Sequence, residues 1–149
     1  MSHVKAGRSG LKSMKPFEIF SLRSIQAPHF VINPVELYSF FDFEVKRIYY
    51  ITRTTGQTGF HCHYREREFF IMIQGKCTAV IDHGRGLEEM PLQGPSSAIY
   101  VANYVWHGFK EFSPDAILMA LTSTNYNPDR SDYLEDYERY LQIRDNHLA

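Results

Sequence analysis

Little in this chain could build a disulfide framework or a zinc knuckle. Its 149 residues include two cysteines, Cys62 and Cys77, both inside apolar stretches and without CxxC spacing. The expectation is a reducing compartment, the cytoplasm. Charge of one sign is equally scarce. The formal net charge is −1, so no basic field exists to attract nucleic acid or an anionic membrane. Any anionic ligand must be gripped by a few local cations. No apolar run approaches the roughly 18 residues of a membrane span. The opening MSHVKAGRSGLKSMKP is basic and contains Gly and Ser but no apolar h-region. It therefore does not read as a secretory signal, and a flexible arm over residues 1–16 is expected.

Aromatic residues, by contrast, are plentiful. They make up 15% of the chain, with ten Tyr and eleven Phe, and flat rings pack well on a pleated surface. From Phe17 onward the chain reads as short strands separated by turns. Residues 17–22 alternate with period two, and 30–32, 45–51, 69–73, 76–82, 99–101 and 116–121 are further strand candidates. Gln74-Gly75 reads as a hairpin turn between two of them. Only the tail changes character. Over residues 132–141 Tyr133, Tyr137 and Tyr140 recur at helical spacing, which predicts a short terminal helix packing a tyrosine stripe on the body. No internal repeat and no linker is visible. The expectation is one all-β domain over 17–149, a sandwich or barrel closed by a C-terminal helix.

The segment with chemistry in it runs from Gly59 to Gly75. Residues i and i+2 of a strand share a face, so His61 and His63 project together. Glu68 follows after four residues and Gly75 after six more, and His107 arrives downstream on a further predicted strand. Two histidines at i, i+2 on an exposed edge are commonplace. With Glu68 and His107 in pattern the functional reading is favoured, because clustered imidazoles either ligate a metal or move protons near neutral pH.

The whole pattern resembles the paired motifs of the cupin superfamily, which implies a jelly-roll barrel. A narrower likeness appears over about residues 45–140. Lys46-Arg47-Ile48-Tyr49-Tyr50-Ile51, Gly59-Phe60-His61-Cys62-His63, Val105-Trp106-His107, Ser123 with Tyr126, and Asp132-Tyr133 resemble the dTDP-sugar 3,4-ketoisomerase family. That resemblance implies a cupin homodimer that exchanges N-terminal strands and acts on a dTDP-linked 4-keto-6-deoxy sugar. It also implies a carbonyl moved from C4 to C3 in deoxysugar biosynthesis, of the kind that feeds lipopolysaccharide O-antigen, without a cofactor. His61 and His63 fall on its catalytic histidine pair, and one tyrosine of the Tyr49-Tyr50 pair, Tyr50 being favoured, falls on its catalytic tyrosine. Arg47, Tyr49, Trp106 and His107 become candidates for substrate binding, Arg47 for the pyrophosphate and Trp106 for thymine. The chain departs from the family pattern at Thr58-Gly59, at His61-Cys62-His63-Tyr64, near Ser24–His29, and at Glu68, where a glutamine is expected. The last departure completes an alternative metal set of His61, His63, Glu68 and His107, suited to Fe, Mn or Zn. A third reading is a sugar-binding cupin without chemistry.

Overall fold

The computed structural model describes residues 14–148. Among the described residues twelve strands and one α-helix follow each other, with a short 3-10 turn at Leu37–Ser39. They are β1 (Phe17–Ser21), β2 (Ile25–Gln26), β3 (Val31–Ile32), β4 (Arg47–Ile51), β5 (Thr58–His63) and β6 (Glu68–Gln74), then β7 (Lys76–Asp82), β8 (Glu88–Gln93), β9 (Ser97–Val101), β10 (Trp106–Lys110), β11 (Ile117–Thr122), β12 (Tyr133–Leu134) and α1 (Tyr137–Arg144).

Two antiparallel five-stranded sheets result, ordered β1-β9-β6-β11-β4 and β12-β5-β10-β7-β8, with β2 and β3 forming a separate ribbon. Period-two alternation sends one set of side chains from each sheet into the space between them. Phe70, Met72, Ile99, Leu118 and Ala120 come from the first sheet and meet Ala79, Ile81, Leu92 and Phe109 from the second. The opposite faces are covered locally. Phe40, Phe41 and Phe43 seal Phe69 and Tyr100 on the outside of the first sheet, and α1 lays Tyr140 over Cys62 and Trp106 on the outside of the second. This is the cupin jelly roll with a short C-terminal helix. No helix among the described residues is long and apolar enough to cross a membrane.

Four expectations need correction. Gln74-Gly75 is a turn but not a hairpin turn, because β6 and β7 lie in different sheets. Gly75 carries the chain across at φ +72°, where a Cβ would sit 2.8 Å from the Ala116 Cα. The tail helix begins at Tyr137, with the Asp136 carboxylate capping the Arg139 N–H. Tyr133 lies instead on β12, opposite His63 of β5. β8 was missed because Pro91 and two glutamates interrupt its pattern. It is an edge strand, where a missing N–H is tolerated. Finally, the expected arm ends before residue 16: Met14 packs on the outer cluster of the first sheet and the Pro16 carbonyl accepts from the Ala102 N–H. Residues 1–13 of that arm lie outside the described residues.

Candidate active site

At one end of the sandwich the two sheets part around a cavity of about 400 Å³. Alternation decides which side chains reach it. On β4 it admits Arg47, Tyr49 and Ile51, on β5 His61 and His63, and on β10 His107 and Phe109. The linker between β11 and β12 adds Tyr126 and Arg130, and Tyr133 closes the wall. β5 carries a bulge: His107 pairs with His61 and Gly108 with Gly59, leaving Phe60 as the extra residue at φ +65°. Gly59 is required there, since a Cβ would lie 3.1 Å from the Gly108 Cα.

The same alternation removes two expected residues. Tyr50 is 68% exposed on the outer face of the first sheet and does not line the cavity, whereas its neighbour Tyr49 does. Trp106 is 4% exposed and packed between Cys62, Leu134 and Tyr140 behind the second sheet. It cannot offer a face to a ligand. Arg47, Tyr49, His61, His63 and His107 are brought together as expected.

The two β5 histidines live in opposite environments. His61 faces the cavity, and neither of its nitrogens is hydrogen-bonded among the described residues. Burial, with His107 and His63 nearby as like charges, pushes its pKa down to about 2. It is a neutral imidazole. His63 is wrapped in carboxylates: Nε2 lies 3.0 Å from Glu68 Oε1 and 3.2 Å from Glu66 Oε2, and Nδ1 lies 3.3 Å from Asp132 Oδ2. Burial opposes charging it, but Asp132, Glu68 and Glu66 outweigh burial and raise its pKa to about 9. It is an imidazolium at neutral pH.

Glu68 is the hub. Tyr49 Oη donates to its Oε2 at 2.7 Å, while His63 and His107 approach its Oε1 at 3.0 and 3.3 Å. Burial works against its charge, yet the two imidazoles hold its carboxyl well below the usual range. Burial and the charge of Glu68 raise the Tyr49 hydroxyl well above its ordinary value, so it remains a donor. His107 is oriented from behind: Nδ1 lies 3.0 Å from the Val105 carbonyl, which can only accept. Its Nε2 is thereby turned to the cavity.

Sequence reasoning missed Glu66, Asp132, Tyr126 and Arg130 as site residues. Asp132 accepts from the backbone N–H of Arg65 (2.8 Å) and Glu66 (3.1 Å), fixing the turn that carries the carboxylates. At the mouth Arg47 lies over the rings of Tyr49 and Tyr126 at 5.1 and 5.6 Å, and Arg130 over Tyr133 at 3.9 Å while paired with Glu135.

The residues around Glu68 also fit a metal ion. His61, His63, Glu68 and His107 each offer one ligand atom, all within 4.8 Å of one another, and Glu68 Oε1 is buried without a well-formed hydrogen bond. Three imidazoles and a carboxylate suit a divalent ion such as Fe, Mn or Zn.

Comparison with known proteins decides the family. The model of the family described as WxcM-like, C-terminal, matches residues 15–145. The chain belongs to this family. The TDP-4-oxo-6-deoxy-alpha-D-glucose-3,4-oxoisomerase of Aneurinibacillus thermoaerophilus is 35% identical over 100 residues, covering 66% of this chain and 70% of the relative. Among solved structures, a 3,4-ketoisomerase from Helicobacter canadensis superposes with TM-score 0.78 at 27% identity, over 89% of this chain and 99% of that one. The WlaRB TDP-quinovose 3,4-ketoisomerase from Campylobacter jejuni gives TM-score 0.76 at 29% identity, over 87% and 99%.

Proposed function

We propose that this protein is a sugar-nucleotide 3,4-ketoisomerase that moves the carbonyl of a dTDP-4-keto-6-deoxyhexose from C4 to C3, in deoxysugar biosynthesis. The observation that carries the reading is the unequal pair of imidazoles in one cavity, His61 open to it and unbonded, His63 held among the carboxylates of Glu66, Glu68 and Asp132. Family membership and the names of the relatives supply the substrate class.

The chemistry follows from that inequality. His61 removes the proton from C3; the electron pair forms the C3–C4 double bond and O4 takes a proton, giving an enediol. The O3 hydroxyl then gives up its proton, C3 becomes the carbonyl, and His61 returns a proton to C4. No proton is gained or lost overall. General acid–base catalysis of this kind contributes about 10²–10⁴-fold. Negative charge developing on the substrate oxygens raises the proton affinity of His61 when it is needed. His63 and Tyr49 supply the positive charge and the polarised donor network beside those oxygens. Tyr49 takes the role that the resemblance gave to Tyr50. A divalent ion on His61, His63, Glu68 and His107 would supply Lewis-acid polarisation of the carbonyl.

Arg47 is the cation for the diphosphate, with Arg130 beside it. Tyr126, half exposed at the mouth, is the aromatic face for the base that Trp106 cannot be. A second copy of the chain covers the outer face of the first sheet, giving a homodimer. Support comes from an apolar groove of about 320 Å³ lined by Leu22, Val35, Leu37, Ile71, Met119 and Leu121. Ile48 and Tyr50 stand exposed on the same face of the sheet, and Phe30 and Ile32 in and beside the β2–β3 ribbon. The two buried thiols, unlinked, fit a cytoplasmic setting.

The test is turnover of dTDP-4-keto-6-deoxyglucose by wild type and by His61→Asn, His63→Asn and the double variant. Each single change lowers kcat by at least about 10²-fold with dTDP binding little changed. Near-normal turnover by the double variant would remove the chemistry from this pair.

A further inference from the structure

Glu66 is a buried carboxylate near the cavity that does not enter the reaction above. It is 3% exposed, sits in the turn between β5 and β6, and does not line the cavity, so it touches no ligand. An apolar side chain of similar size would fill the place without the cost of taking a carboxylate out of water. Buried ion pairs of this kind are weak evidence for stability. Their use is better sought in what they hold in register.

What Glu66 holds is specific. Its Oε1 accepts from Arg47 Nη2 at 3.2 Å and from Thr124 Oγ1 at 2.8 Å, and its Oε2 faces His63 Nε2 at 3.2 Å. Those three partners come from β4, from the linker after β11 and from the end of β5. One carboxylate therefore spans the guanidinium at the mouth and the His63 ring at the floor. Its own N–H is fixed by Asp132, so the bridge is anchored at both ends of the residue.

We propose that Glu66 is a positioning residue that couples Arg47 to His63, so that the anion-binding and proton-transferring halves of the cavity keep a single geometry. The inference rests on the ketoisomerase reading. It makes Arg47 matter to kcat although it is remote from the reacting carbons, through a group that no ligand contacts. Misplacement of about 1 Å at a distance can cost about 10²-fold in rate.

Glu66→Gln isolates the bridge. The glutamine keeps the volume, and its carbonyl oxygen still accepts from Arg47 and Thr124. Its amide N–H group then faces the His63 Nε2–H, donor against donor. Expected are a kcat at least about 10-fold lower and a dTDP dissociation constant within about threefold of wild type. Arg47→Lys lowers kcat as well as dTDP affinity, and the double variant is no slower than the slower single, because both changes cut one link. Unchanged kcat in Glu66→Gln, or rate losses that multiply in the double variant, overturn the coupling. A merely structural role would move kcat and dTDP binding together.

Two further results keep the questions separate. If wild type does not isomerise the sugar, the ketoisomerase reading fails, and the coupling is judged by the His63 imidazole ¹⁵N signals in Arg47→Lys. The signals shift if Glu66 carries the link and stay in place if it does not. The same measurement decides the matter if Glu66→Gln does not fold, since Arg47→Lys leaves Glu66 intact.

Discussion

Replacing Tyr49 and Tyr50 one at a time by phenylalanine sets the alternation of β4 against the resemblance. Each change removes one oxygen. Tyr49 Oη donates to Glu68 Oε2 at 2.7 Å in the cavity wall, and Glu68 is 1% exposed, so Tyr49→Phe leaves a buried carboxylate oxygen short of a donor. A hydrogen bond to a charged group contributes about 1.5–3 kcal/mol. At about 2–4 °C per kcal/mol for a chain of this length, the melting temperature falls by about 3–12 °C. Turnover drops about 10–100-fold, because the lost donor also slackens the carboxylate that orients His63 and His107. Tyr50 has no such partner among the described residues and is 68% exposed, so Tyr50→Phe stays within about 0.5 kcal/mol and keeps its rate. The assay is thermal unfolding beside steady-state kinetics on dTDP-4-keto-6-deoxyglucose. A slow, stable Tyr50→Phe beside a normal Tyr49→Phe would refute the assignment of the inner face of β4.

Asp82 ties α1 down by accepting from Tyr137 Oη (2.8 Å) and Arg144 Nη1 (2.9 Å), while its other oxygen accepts from the Gly84 N–H (2.8 Å). Asp82→Asn costs about 2–4 kcal/mol in denaturant unfolding, and a loss below about 0.5 kcal/mol would mean the helix is held by its tyrosines alone. Burial opposes the Asp82 charge, but Gly84, Tyr137 and Arg144 hold its pKa below the usual value. Its contribution is therefore full above the unfolded pKa of about 3.9 and fades as pH falls through the lower folded value; the wild-type melting curve, and not the Asn variant's, should drop across that window. Sedimentation at micromolar concentration gives twice the chain mass of 17.4 kDa, and a mass of one chain would defeat the dimer.

How much of this was legible in the sequence depended on whether one strand could be read alone. His61 and His63 were legible because a period-two pattern inside one element places them, and the spacing to Glu68 and Gly75 is local. Tyr49 against Tyr50, and Trp106 against His107, were not. In each pair both residues suit a strand equally, and the choice needs the register against β11 or β5. Glu66 hid in Arg65-Glu66-Arg67-Glu68, a charge run that reads as a solvated turn. Its inward orientation arises only when Asp132, 66 residues further on, accepts from its backbone N–H. Tyr133 was assigned to the helix by its spacing to Tyr137, and only pairing with β5 separates them.

The place of β12 has a consequence for biogenesis. It is the last of the described strands, yet it borders β5, and α1 follows it to cover Cys62 and Trp106. A ribosome makes the chain from the other end, so every other strand of the cavity wall exists before the two-residue partner of the histidine strand emerges. A nascent protein halted before Asp132 can pair both sheets but leaves His63 without its Nδ1 carboxylate and the back of the second sheet bare to solvent. Competence is acquired only once this segment has been made. Proteolytic loss of this same tail would silence the enzyme while sparing most of the jelly roll.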